Sequence, residues 1–200
     1  MSSKIVCVFC GANTKLPTEY EAAAFELGTA LARNNFSLAT GGGKVGLMKQ
    51  VIEGHASTHS QTTRYGVIPL VLKPYDPQHY LIPVDNIIWT NSIHSNLESF
   101  ASLGEHIVVL PGGFGTLHEL MDCLVHNQFG LSKKHIYLYN FENFWDPLIA
   151  QFKTMIKIRT LEQIHLDHLI IVHSLEELTA KLKSEKKFAL SQGFDDQHWL

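Results

Sequence analysis

The sequence has little of what marks several large classes of protein. Its 200 residues include only three cysteines, too few for the disulfide framework of a small secreted domain. No apolar run reaches the roughly 18 residues of a membrane-spanning helix. The first residues, MSSKIVCVFCGA, lack the charged, apolar and small-residue blocks of a signal peptide. The formal net charge of -3 gives no general basic surface for nucleic acid. These absences predict a cytoplasmic protein with neither a membrane nor a nucleic acid as partner.

Two of the cysteines, Cys7 and Cys10, form a C-x-x-C pair inside the apolar run IVCVFC. A redox pair needs a strand-to-helix turn, where the helix N-terminus lowers the pKa of a thiol. In a strand, residues three apart point to opposite faces. We therefore interpret both as core residues. There is no second C-x-x-C and no clustered histidine–cysteine spacing, so we predict no metal site.

Short apolar segments alternate with helical patterns along the chain. Strands are predicted over residues 4–10, 36–40, 65–70, 86–90, 106–110, 134–140 and 168–173. Helices are predicted over 18–34, 45–56, 93–103 and 145–158, with another directly after the glycine-rich stretch at 111–116. Residues 71–86, with three prolines, are predicted as a loop, and SLEEL from Ser174 as a capping box with Glu177.

This alternation predicts an α/β fold: a Rossmann-like, doubly wound parallel sheet of about seven strands with helices on both faces. We find no internal repeat and no linker. Residues 1–186 are predicted to form a single nucleotide-binding domain, and residues 187–200 a C-terminal tail whose lack of pattern is consistent with disorder.

Three glycine-bearing turns follow predicted strands: Gly11, Gly41–Gly43 and Gly112–Gly115. In doubly wound sheets, ligands bind beyond the carboxyl ends of the strands. A glycine turn lets backbone N–H groups approach a ligand, and the helix behind it favours an anion. The stretch PGGFGT could therefore bind phosphate. The spacing of Thr116 and Glu119 equally matches a capping box, which needs no ligand.

Neither glycine-rich stretch matches the best-known nucleotide motifs. No G-x-x-x-x-G-K-[ST] sequence occurs, so there is no Walker A loop. Gly41, Gly43 and Gly46 nearly match the G-x-G-x-x-G fingerprint of dinucleotide-binding proteins. An NAD-dependent oxidoreductase is therefore an alternative, but it leaves PGGFGTLHE without a role.

The two stretches together resemble a known family. PGGFGTLHE resembles the PGGxGTxxE motif of the Lonely guy (LOG) family, and GGGKVGLM resembles its GGGxxGLM segment. VCVFCGA, GVIP and FWDPL also resemble that family in order and spacing, over roughly residues 4–175. The resemblance implies a Rossmann-like homodimer without a cofactor. It also implies hydrolysis of the N-glycosidic bond of cytokinin riboside 5′-monophosphates or ordinary nucleoside monophosphates. Many members were labelled lysine decarboxylases, but nothing in this sequence independently points to a pyridoxal phosphate site.

The resemblance assigns roles to individual residues. It makes Glu119 the catalytic carboxylate, which can stabilise a cation-like sugar or activate water. Further substrate-binding residues are predicted in the glycine-bearing turns, in the segments beside them, and in the segment before the predicted strand 106–110. They are Gly11, Gly42, Gly43, Met48, His94, Asn96, Gly112, Gly113, Gly115 and Thr116.

One departure from the family pattern concerns an arginine–lysine pair. Members usually carry it in a segment like MHxRK, whereas this chain has IHSNL, with Asn96 and Leu97 at the two positions. A lost charge-assisted hydrogen bond costs about 1.5–3 kcal/mol. A nucleotide-binding or sensing module with weakened catalysis is therefore the alternative to an active hydrolase. Lys44 or Arg64 could supply a substitute cation, although a solvated surface position is the simpler interpretation of each.

Overall fold

The structure is a computed structural model that describes residues 3–75 and 77–184. Its seven strands are β1 Ile5–Phe9, β2 Ser37–Thr40, β3 Arg64–Pro69, β4 Ile87–Thr90, β5 His106–Val109, β6 His135–Tyr139 and β7 Leu169–Val172. Its α-helices are α1 Thr18–Arg33, α2 Gly46–Ala56, α3 Ile93–Leu103, α4 Phe114–Gln128, α5 Asp146–Lys157, α6 Gln163–Leu166 and α7 Leu175–Lys183. The tail predicted for residues 187–200 lies outside the described residues.

The strands form one parallel sheet in the order β4-β3-β2-β1-β5-β6-β7. The register between β1 and β5 pairs Val8 with Val108. The chain builds outward from β1 in one direction and from β5 in the other, so the order reverses between these two strands. The prediction of a doubly wound parallel sheet is confirmed, and the reversal gives it a switch point between β1 and β5.

Side chains of β1 alternate between two hydrophobic cores. Val6 and Val8 pack in the core that α1, α2 and α7 cover. Cys7 and Phe9 pack in the other core, which α3, α4 and α5 cover. This alternation follows from the two-residue period of a strand, and it confirms the prediction of helices on both faces. Cys7 and Cys10 are buried free thiols in opposite cores, which confirms their interpretation as core residues.

Local differences from the predicted elements are small. The segment predicted as a loop contains two 3₁₀ turns, Leu70–Tyr75 and Val84–Asn86. The short α6 was not predicted either, because a single turn shows no helical period. At the start of α7, the Ser174 hydroxyl accepts a hydrogen bond from the Glu177 N–H at 3.1 Å, as predicted. The Glu177 carboxylate reaches one residue further back, to the His173 N–H at 3.0 Å. No helix in the described part of the chain is long and apolar enough to cross a membrane.

Candidate functional site

The site lies at the switch point, where the turns after β1 and β5 meet. The Gly11 N–H donates a hydrogen bond to the Pro111 carbonyl at 3.0 Å. A side chain on Gly11 would bring a Cβ atom within 3.3 Å of the same carbonyl. The two turns are thus held side by side at the carboxyl edge of the sheet, the edge at which doubly wound proteins bind their ligands.

Helix α4 begins directly after the glycine-rich turn and has no side-chain cap. Its N-cap is Gly113, so Thr116 is the third helical residue and not the N-cap. The capping-box interpretation of Thr116 and Glu119 is therefore wrong, because the helix starts earlier than that spacing requires. The first N–H groups of a helix have no partner within it. Without a side chain to satisfy them, they form a site for an anion.

The glycines of this turn have two separate functions. A Cβ atom on Gly112 would lie 2.1 Å from the Thr116 hydroxyl oxygen, so a glycine is required for Thr116 to pack there. Cβ atoms on Gly113 and Gly115 would meet nothing within 4 Å. Both of these glycines line a cavity, and a side chain at either would enter the open space. The turn therefore has room for a group as large as phosphate.

The cavity has a volume of about 660 Å³, which is within the usual range for small-molecule sites. Its lining residues are of two kinds. The turn from Gly112 to Thr116 and Glu119 supply polar groups, and most of the other lining residues are apolar. The lining residues are Cys10, Gly11, Ala12, Asn13, Leu16, Pro17, Tyr20, Met48, Pro111, Gly112, Gly113, Gly115, Thr116, Glu119 and Phe144. Among the described residues that line the cavity there is no lysine and no arginine.

Glu119 is the acidic group of the cavity. It lies three residues after Thr116, so the two side chains are neighbours on one face of α4. The residue is half-buried, and burial raises the pKa of its carboxyl from 4.5 to about 8. At neutral pH the carboxyl therefore holds its proton and can donate it to a leaving group.

The second glycine-rich stretch contacts Met48, which is a residue of the cavity lining. Gly42 has a φ of +69°, and a Cβ atom there would lie 2.9 Å from a methyl group of Ile68. The Gly43 N–H contacts the sulfur of Met48 at 2.9 Å, and Met48 lines the cavity. Gly42 and Gly43 are not among the lining residues. A direct role of these two glycines in substrate binding stays a prediction.

The residues predicted on α3 do not line the cavity. His94 is exposed, and its ring lies 6.4 Å from the ring of His118. The Asn96 side chain is 9% exposed and accepts a hydrogen bond from the Thr90 hydroxyl at 3.2 Å. Leu97 is 7% exposed. Binding of substrate by His94 and Asn96 stays a prediction.

The two cations considered as substitutes also lie outside the lining. Arg64 is half-buried and donates through Nε to the Leu81 carbonyl at 2.8 Å, so it is not a fully solvated surface residue. The N–H of exposed Lys44 donates to the Pro77 carbonyl at 3.2 Å. Neither side chain is among those that line the cavity. In the described part of the chain, no group of three or more histidine, cysteine, aspartate or glutamate residues is arranged to hold a metal ion.

Sequence reasoning missed most of the apolar residues that line the cavity. Tyr20 belongs to a helix whose pattern indicates only packing, and Phe144 comes from the turn after β6. The available signal was the FWDPL segment, which follows a predicted strand. Its position beside the glycine turn depends on β6 pairing with β5, and the sequence alone does not fix that pairing.

Comparison with known proteins identifies relatives over most of the chain. A family model described as "Possible lysine decarboxylase" matches residues 48–182, more than half of the chain. Cytokinin riboside 5′-monophosphate phosphoribohydrolase LOG of Oryza sativa subsp. japonica is 34% identical over 145 residues, 72% of this chain and 58% of that protein. Cytokinin riboside 5′-monophosphate phosphoribohydrolase LOG1 of Arabidopsis thaliana is 29% identical over 180 residues, 90% of this chain and 83% of that protein. The chain thus spans less than two thirds of the rice protein.

Solved structures share the fold at lower identity. The molybdenum cofactor binding protein of Rippkaea orientalis aligns with a TM-score of 0.66 and 21% identity, over 92% of this chain and 98% of that one. The molybdenum cofactor carrier protein of Chlamydomonas reinhardtii aligns with a TM-score of 0.65 and 21% identity, over 90% and 96% of the two chains. At this identity the likeness supports the fold alone.

Proposed function

The chain belongs to the Lonely guy (LOG) family, and we propose that it hydrolyses the N-glycosidic bond of a nucleoside 5′-monophosphate. The products would be a free base and ribose 5-phosphate. The observation that carries this proposal is the pairing, within one cavity, of an uncapped glycine turn with the half-buried Glu119 carboxyl one helical turn away. The names of the curated relatives supply cytokinin riboside 5′-monophosphates as one substrate class. A simpler monophosphate such as AMP is the second candidate substrate, because it has the same 5′-phosphate and N-glycosidic bond.

The residues of the cavity can divide the reaction between them. The N–H groups from Gly113 to Thr116 would bind the 5′-phosphate, because a helix N-terminus favours an anion. This would hold the sugar close to Glu119. Protonated Glu119 would donate its proton to the base as the bond between C1′ and the base nitrogen breaks. The resulting carboxylate would stabilise the cation-like sugar and then take a proton from the water that attacks C1′. The acid is thereby restored, and no cofactor is needed for this sequence.

The test is a product assay with a panel of nucleoside monophosphates that includes AMP and a cytokinin riboside 5′-monophosphate. Chromatography should detect free base and ribose 5-phosphate in equal amounts. Glu119→Gln should lower turnover by about 10²-fold or more, since a positioned general acid contributes about that much. If Glu119 is the acid, turnover should fall as the pH rises through about 8. The proposal fails if Glu119→Gln turns over as fast as the wild type.

A second candidate is a nucleotide-binding module with little or no catalysis. The observation that favours it is that no arginine or lysine is among the described residues that line the cavity, while Asn96 and Leu97 occupy the family's cationic positions as buried residues. If this candidate is correct, calorimetry should show that AMP binds, and AMP should stay intact during long incubation with the protein. Release of base from any member of the panel would exclude it.

We also propose that the protein is a cytoplasmic homodimer. The structural reason for proposing a dimer is that large apolar residues after α4 are exposed: Phe129 is 37% exposed and Leu131 is 72% exposed. Light scattering at micromolar concentration should give twice the mass of one chain. A single-chain mass would contradict the dimer.

A further inference from the structure

The apolar lining of the cavity includes two aromatic residues that the reaction above does not use. Tyr20 comes from the first turn of α1, and Phe144 comes from the turn between β6 and α5. Their ring centroids are 6.5 Å apart, with an interplanar angle of 75°. Both line the cavity, together with Leu16 and Pro17. We call Tyr20 and Phe144 the aromatic wall.

Phe144 follows a turn with two consecutive residues of positive φ. Glu142 and Asn143 have φ values of +49° and +57°, in the left-handed region, which asparagine tolerates but glutamate seldom adopts. The phenyl side chain that follows is 41% exposed. Strained backbone of this kind persists only where the surrounding structure enforces it, and it is concentrated at ligand-binding sites.

Asn140 is the residue that enforces this turn. It is 2% exposed and lies directly after β6. Its side-chain oxygen accepts a hydrogen bond from the Trp145 N–H at 2.7 Å. Its side-chain nitrogen donates to the Asp146 carboxylate, also at 2.7 Å. One buried amide thus joins the chain before Phe144 to the two residues directly after it, which closes the loop that presents the phenyl ring to the cavity.

Tyr20 is held by a ring contact. Its ring packs edge-on against Phe141, with centroids 5.2 Å apart and an interplanar angle of 82°. Phe144 makes a similar edge-on contact with the buried ring of Trp145, at 4.7 Å and 89°. The aromatic wall is therefore fixed in place by contacts with residues behind it, and a ligand would not have to order it first.

We propose that the aromatic wall binds the planar base of the nucleotide while the turn from Gly112 to Thr116 binds its phosphate. This inference rests on the proposed function for the identity of the ligand. The wall and the turn line the same cavity, and they match the apolar and the anionic ends of a nucleoside monophosphate. Aromatic rings stack on any nucleobase, and one such contact is worth about 5- to 150-fold in affinity. The wall would thus contribute affinity for the base without selecting among bases by hydrogen bonds.

The test compares two ligands that differ only in the base, AMP and ribose 5-phosphate. Calorimetry should show that Phe144→Ala weakens AMP binding by about 5- to 150-fold. The affinity for ribose 5-phosphate should change less than about twofold, because this ligand has no base to lose a contact. Phe144→Tyr should keep the affinity for AMP, because the ring remains. Phe25→Ala is the matched control, because Phe25 is similarly exposed at 37% and lies on α1 outside the cavity lining.

Each result either supports or overturns the aromatic wall. An equal loss for both ligands in Phe144→Ala would show a general disturbance of the cavity and would overturn the proposal. So would unchanged AMP affinity, or a wild type that binds no AMP. The release of free base is measured separately on the same proteins. A wild type that binds AMP through Phe144 but releases no base from any monophosphate of the panel would refute the proposed hydrolysis and leave the aromatic wall intact.

Discussion

Replacing Glu119 with glutamine should change the way stability depends on pH. In the unfolded chain this carboxyl has its ordinary pKa of 4.5, whereas burial raises the pKa to about 8 in the fold. Between these values the folded protein retains a proton that the unfolded chain has released. The free energy of unfolding therefore falls with rising pH, by at most about 1.4 kcal/mol per pH unit. The stabilising contribution of the neutral acid is complete below about pH 4.5 and is lost by the time the pH passes about 8.

These two pKa values fix the size of the effect. Between about pH 5 and about pH 8, the wild type should lose about 3–4 kcal/mol of stability from this carboxyl alone. Glutamine has nearly the shape of the protonated acid and does not titrate, so the Glu119→Gln variant should not show this loss. Relative to the wild type, the variant should become steadily more stable as the pH rises.

Urea unfolding at a series of pH values measures this difference directly. Other buried groups also titrate, and burial lowers the pKa of both His55 and His106 to about 4. Their contribution is the same in both proteins and cancels in the difference between them. A constant offset between wild type and variant across the whole range would refute the reasoning. It would mean that Glu119 ionises normally in the fold and carries no proton to donate at neutral pH.

Three further predictions test the glycine turn and α3. Gly115→Ala should raise stability by about 0.5–1 kcal/mol, because alanine favours the helix. Gly115→Ala should also weaken AMP binding about tenfold or more, because the added methyl group blocks a charge-assisted hydrogen bond to the phosphate. Gly112→Ala should instead lower the unfolding free energy by about 1–3 kcal/mol, because its Cβ atom clashes with Thr116. Both variants are checked by urea unfolding and calorimetry. Calorimetry should show that AMP binds more tightly than adenosine, and that Thr116→Ala reduces this difference in affinity. Equal affinities of the wild type for AMP and adenosine would contradict phosphate binding at the turn. Leu97→Lys should lower the unfolding free energy by more than about 3 kcal/mol, because it places a charge at a 7% exposed core position; a stable variant would show that the ammonium group reaches water.

The fold could be predicted because each strand is visible in the sequence as a short run of apolar residues. In β1, Val6 to Phe9 are all at most 2% exposed, as expected for a strand with helices on both faces. The strand order could not be derived in the same way. Parallel pairing depends on contacts between segments far apart in the chain, such as Val8 with Val108. Local periodicity carries no information about which strands become neighbours.

The candidate site also has one part that the sequence predicts and another part that it does not. The turn from Gly112 to Thr116 and the carboxyl of Glu119 lie within one short motif, so the resemblance of that motif to the LOG family was enough to place them in one site. Phe144 reaches the cavity only because β6 lies beside β5 and because Asn140 closes an unfavourable turn. Neither cause is visible in a local pattern. The helix start was also misplaced in one interpretation, since the cap is a glycine without a side chain.

The missing cationic pair bears on catalysis more than on binding. The uncapped N-terminus of α4 can attract a phosphate without help from a side chain, so the loss of a nearby arginine need not abolish affinity. A protonated Glu119 is a neutral group, and it adds no negative charge to repel the phosphate before the bond breaks. Once Glu119 has donated its proton it carries a negative charge, and no lysine or arginine is among the described residues that line the cavity to balance that charge. We therefore expect the lack of a cation to lower turnover more than affinity, and turnover is where an active hydrolase and a binding module differ.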